Sequence, residues 1–107
     1  MVKFMILFFK PANPARFEER YNNFLALVER MPSIQRRQAI HILGSPLGET
    51  PINRILEVYF EDYPALEASL KSPAGQEAGK ELNLLPRDEF NMLFAEVYEE
   101  AGGRTEG

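Results

Sequence analysis

The 107-residue chain contains no cysteine. That excludes disulfides, thiolate metal sites and a cysteine nucleophile. It has one histidine, His41, so a multi-histidine metal centre cannot be assembled within a single chain. No Lys/Arg stripe runs along it: 12 basic residues stand against 16 acidic ones, for a net charge of −4. Such a balance speaks against nucleic acid as a partner, because no surface tracks phosphates. Arg36-Arg37 is the sole basic doublet and reads as a solvated strand entrance. A secretory signal requires a small-residue cleavage site after its apolar run. Here the opening run stops at Lys10-Pro11, and Asn13-Pro14 follows at once. That run is under half of the roughly 20 apolar residues that a membrane span needs. No membrane partner is expected, and the cytoplasm is the default location. The loop GSPLGETP lacks the Lys-Ser/Thr ending of a phosphate loop. With no internal repeat and no linker, the chain reads as one domain over residues 1–98, with a flexible tail over 99–107.

What is present begins with MVKFMILFF, apolar on both alternate sets apart from Lys3. Val2, Phe4, Ile6 and Phe8 share one parity, and Met5, Leu7 and Phe9 the other, so this is a strand with two greasy faces. Asn13 before Pro14 offers a helix cap followed by proline at the first helical position. Phe17, Tyr21, Phe24, Val28 and Met31 then recur at helical spacing and predict an amphipathic helix ending near Met31-Pro32. SIQRRQAIHILG and NRILEVYF read as two strands joined by the GSPLGETP hairpin connection. Asp62 can cap a further helix carrying Leu66 and Leu70. Ser72-Pro73 restarts one that Gly75 and Gly79 should keep short or loose. EFNMLFAEVYE is the last strand.

The order is β-α-β-β-α-β: an α+β, ferredoxin-like arrangement with a four-stranded antiparallel sheet and its helices on one face. Helices on one face cover only one parity of the first strand. The other would leave an apolar sheet face larger than the few hundred Å² that monomers usually expose. A homodimer that packs two such sheets face to face, a dimeric α+β barrel, removes the problem.

Taken together, MVKFMILFFKP, F-x-x-x-Y with L-V-x-x-M-P in the first helix, L-G-S-P-L-G-E, E-V-Y-F-E-D and S-P-x-G-Q resemble the EthD family. That family is named for ethyl tert-butyl ether degradation and belongs to the dimeric α+β barrels. The resemblance runs from Val2 to about Val97. It implies a dimer with a pocket between sheet and helices in each protomer. Family members often carry Y-x-x-H-x-P-L on the first helix. Here Tyr21 and Leu27 match, Phe24 stands at the histidine and Ala26 at the proline. Phenylalanine can neither move a proton nor bind a metal. Haem, which the wider class also accommodates, would find no axial histidine on this helix, and no cofactor is expected.

The remaining titratable candidate is His41. If the hairpin pairs Leu43 with Ile55, His41 falls opposite Glu57 on the same face. Glu57 would then orient His41 as a base, or the two would form a structural hydrogen bond. Tyr59 shares the Glu57 face and is expected in the catalytic set, orienting the substrate through a hydrogen bond, and Tyr21, Phe24 and Leu27 are the expected substrate contacts from the helix. Glu96 is a weaker candidate that reads as an edge charge. Two functions remain open. One is an EthD-like barrel binding an apolar or aromatic small molecule, with cofactor-independent oxygenation or proton transfer. The other is a non-catalytic accessory or scaffold protein.

Overall fold

A computed structural model describes residues 1–100. The elements follow in the expected order: β1 (Val2–Phe9), α1 (Pro14–Val28), β2 (Arg36–His41), β3 (Ile52–Phe60), α2 (Tyr63–Lys71), α3 (Pro73–Leu82) and β4 (Phe90–Glu96). A single 3-10 turn, Arg87–Glu89, leads into β4. The tail assigned to 99–107 lies, from residue 101 onward, outside the described residues.

Local chemistry sets the helix ends. Asn13 Oδ1 accepts from the Arg16 amide at 3.1 Å and opens α1 with Pro14 behind it. Beyond Val28 the chain tightens, with the Met31 amide donating to the Val28 carbonyl, and Ser33 takes a left-handed φ of 68° ahead of the next strand. Asp62 caps α2 through the Ala65 amide at 2.9 Å. Ser72 serves two helices. Its hydroxyl donates to the Ser69 carbonyl at 2.6 Å, closing α2, and accepts from the Gly75 amide at 3.1 Å, opening α3. The corner is tight enough that a Cβ on Gly75 would sit 2.3 Å from the Ser69 carbonyl oxygen.

The four strands form one antiparallel sheet in the order β2-β3-β1-β4. Phe4, Ile6 and Phe8 of β1 and Leu56, Val58 and Phe60 of β3 point to the helix side and are buried. There they meet Phe17, Tyr21, Phe24 and Val28, the buried stripe of α1. Phe8 is fully enclosed and touches the rings of Phe17, Tyr21 and Phe24 edge-on, the preferred aromatic geometry.

The other face carries Met5, Leu7 and Phe9 with Ile55, Ile40 and Leu93. No helix among the described residues covers it, and Met5, Leu7 and Phe9 are only half-buried. Both parities of MVKFMILFF are therefore accounted for: one is core and the other is an open apolar face.

The hairpin register differs from the sequence expectation. Ile40, not Leu43, lies opposite Ile55, a slip of three positions. The strand ladder ends at His41 because Ser45 and Gly48 close a turn of their own, exchanging two backbone bonds of 2.9 Å. Gly44 and Gly48 hold positive φ there, and Leu43 and Leu47 stand fully exposed at the tip. A slip by an odd number of residues exchanges the faces of a strand. His41 accordingly pairs with Arg54 and Glu57 with Gln38. His41 shares the helix-side parity, whereas Glu57 is on the open face. The expected His41–Glu57 pair does not form, and Glu57 cannot orient His41 as a base.

Candidate functional site

Between the sheet and the helices lies a cavity of 510 Å³. Small residues leave it open: Gly75, Ala78 and Gly79 form its α3 wall. Phe24 and Val28 of α1, Met31 just beyond that helix, and Leu56 and Val58 of β3 close it on the other sides. At the β4 edge, Met92 and Phe94 form a rim and stay about half-exposed. Gln76 supplies the one polar side chain of the wall, and its Nε2 is already donated to the Lys71 carbonyl at 2.9 Å. Among the described residues no titratable side chain lines the cavity.

The structure does not bring the sequence-expected site residues together. Phe24 lines the cavity; Tyr21 and Leu27 do not. Glu57 and Tyr59 lie on the open face of the sheet. There the Tyr59 hydroxyl donates to Glu57 Oε1 at 2.9 Å, and Lys3 Nζ donates to Glu57 Oε2 at 3.1 Å. Gln38 Oε1 also faces the Tyr59 hydroxyl, at 3.3 Å, and the Arg36 guanidinium stacks 4.4 Å above the ring. His41 is exposed at the end of β2, away from that cluster. Glu96 is exposed and accepts from the Tyr98 hydroxyl at 2.7 Å.

Sequence reasoning missed the α3 and β4 walls and one half-buried cation. Arg54, opposite His41, is held against α1 by both carboxylate oxygens of Glu18 and lies 4.7 Å over the Tyr21 ring. The signal for Arg54 was available, since it shares the helix-side parity of β3 with Leu56 and Val58.

No family model matches the chain. An uncharacterised 11.0 kDa protein of the thcB-thcC intergenic region of Rhodococcus erythropolis is 27% identical over 97 residues, 90% of this chain and 94% of that one. An EthD family protein of known structure from Bacillus halodurans superposes with a TM-score of 0.86 at 25% identity, over 92% of this chain and 99% of that one. Over nearly its whole length, then, the chain is similar to an EthD family protein. Among more distant structures is SnoaB, a cofactor-independent oxygenase from Streptomyces nogalater, with a TM-score of 0.68 at 17% identity over 94% and 96%. A hydroxynitrile lyase from Passiflora edulis reaches 0.73 at 14% over 94% and 95%. A protein from Jannaschia, described as dimeric and ferredoxin-like, reaches 0.66 at 18% over 91% and 100%. At those identities the likeness is one of fold. Among the described residues no helix is long and apolar enough to cross a membrane.

Tyr21, which matches the EthD pattern in sequence, is packed in the core. It is 2% exposed, stacks on Phe17 and meets Phe8 edge-on. Its hydroxyl finds no hydrogen-bond partner among the described residues. Burial pushes its phenol above the usual tyrosine range, and the Arg54 cation opposes that only in part. A raised folded pKa means that the folded state holds the proton more tightly. The resulting stability is complete below about pH 10, the unfolded value, and is lost as pH rises through the folded one. Tyr21→Phe should remove this alkaline loss. At neutral pH it should leave stability unchanged or raise it by up to about 1 kcal/mol, since a buried unpaired hydroxyl goes. Urea melts at neutral and alkaline pH measure both effects. A loss above about 1 kcal/mol at neutral pH would assign the hydroxyl a working partner.

Proposed function

We propose that the chain is a binding protein for an uncharged apolar or aromatic small molecule, held in the cavity between sheet and helices. The observation that carries this is the wall: large, apolar and, among the described residues, free of titratable side chains. At 510 Å³ it falls within the roughly 300–1,000 Å³ of small-molecule sites. It is well above the ~150 Å³ of a packing void that can take up benzene. A charged ligand would lose its hydration without gaining a partner, which selects neutral molecules. Phenylalanine rings and methionine sulfur favour a polarisable, ring-containing ligand. The wall offers shape and exclusion of water but no acid, base or nucleophile, so binding rather than side-chain catalysis is the reading. The wall's composition equally fits the accessory role in a degradation pathway that the EthD resemblance suggested.

We also infer that the protein works as a homodimer, with the open sheet face of one copy against that of another. The uncovered Met5, Leu7, Phe9, Ile55 and Leu93 support this, as does the description of fold neighbours as dimeric. Equilibrium titration with N-phenyl-1-naphthylamine, an uncharged fluorescent ring compound, tests the cavity. A saturable rise in emission with a dissociation constant on the order of micromolar is expected. Leu70→Trp, which brings a large ring in from the half-buried rim, should weaken it about tenfold or more. Binding by wild type that Leu70→Trp leaves unchanged would place the probe elsewhere.

A further inference from the structure

We propose that Gly79 is a specificity-determining position: by withholding a side chain, it admits the bulk of a ring-containing ligand against the α3 wall. This rests on the reading of the cavity as a ligand site. Glycine is among the poorest residues for a helix interior, because it loses the most backbone freedom on folding and packs nothing. Gly79 is nevertheless interior to α3, its carbonyl accepting from the Asn83 amide at 3.0 Å.

The usual structural reasons for a glycine are absent at this position. The positive-φ glycines among the described residues are Gly44 and Gly48, so Gly79 is not there for a left-handed turn. It is not there for close packing either. A Cβ built on it meets nothing within 4 Å, in contrast to Gly75 one turn earlier, whose Cβ would collide with backbone. What borders Gly79 instead is the cavity. An alanine would suit the empty protein better, and every added carbon would take space from the ligand. The helix gives up local stability where the site gains width.

Unliganded stability and ligand affinity should therefore move in opposite directions along the series Gly79→Ala, Gly79→Leu, Gly79→Phe. The urea midpoint of ligand-free Gly79→Ala should rise above wild type. Affinity for N-phenyl-1-naphthylamine should fall in the order Ala, Leu, Phe, reaching about tenfold or more at Phe. Toluene, followed by calorimetry, should bind wild type and Gly79→Ala within about threefold of each other, a difference below roughly 1 kcal/mol. A lower urea midpoint for Gly79→Ala would show that the glycine serves the backbone, and would overturn the proposal while leaving the cavity reading intact. Affinity that stays flat from Ala to Phe would overturn it too, by showing that position 79 faces solvent rather than ligand. Wild-type protein binding neither probe would instead sink the cavity reading itself.

Discussion

Leu7→Asp is expected to drop the solution mass from that of two chains to that of one, with the fold retained. Leu7 lies in the middle of β1, between Ile55 and Asn91, on the sheet face without helices. In a single chain it is only half-buried, so a carboxylate there keeps most of its water and costs the monomer little. Against a second sheet the same carboxylate would be desolvated. A buried charge without a partner costs about 3–5 kcal/mol, and a twofold interface would bury two of them. That is roughly 6–10 kcal/mol, comparable to the whole binding energy of a micromolar dimer. Sedimentation or light scattering reads the mass, and circular dichroism the fold. Wild-type protein running as a single chain at micromolar concentration would refute the dimer. A mutant that stays dimeric would move the interface off this face.

Phe24→His, which restores the residue type of the family pattern, should destabilise the protein by about 2 kcal/mol near pH 8 and by more at pH 5. The ring is 3% exposed and packs edge-on to Phe8 at 6.4 Å between centroids, so an imidazole there loses real contacts. Phe24 also borders the cavity, which spares it the full penalty of a sealed core. Burial favours the neutral imidazole, lowering the folded pKa below the ordinary value of about 6.5. Below that pH the unfolded chain binds the extra proton, so stability falls as pH falls. Urea melts at the two pH values check size and sign together. A loss above about 3 kcal/mol at pH 8 would mean that the site is closed core with no usable space beside it.

The order of elements was legible because each has a strong periodic signal of its own. The α1 stripe, Asn13 and Asp62 as caps, the break at Ser72-Pro73 and the two-faced opening strand all appear where their chemistry places them. The β2–β3 register was not legible. It depends on where the ladder stops, and the stretch from Ile42 to Pro51 contains a closed turn, Ser45–Gly48, that no alternation in the sequence announces. That one uncertainty moved His41 to the opposite face from Glu57 and dissolved the proposed base. The cavity was hidden for a different reason: it is space left over between helix and sheet, and a sequence records side chains rather than gaps. Its one visible trace was Gly79, which in sequence reads only as a weakness in the helix.

The corner at Ser72 gives the two glycines of α3 different histories under mutation. Gly75 is demanded by its neighbours' carbonyl oxygens before any ligand arrives. A library of variants sorted purely for folding should therefore retain Gly75 and drift freely at position 79, toward alanine. Sorted for capture of a bulky ring compound, the same library should hold both. Heritable constraint on this short helix thus divides by position, one glycine answering to the chain's path and its neighbour one turn on to whatever the chain must carry.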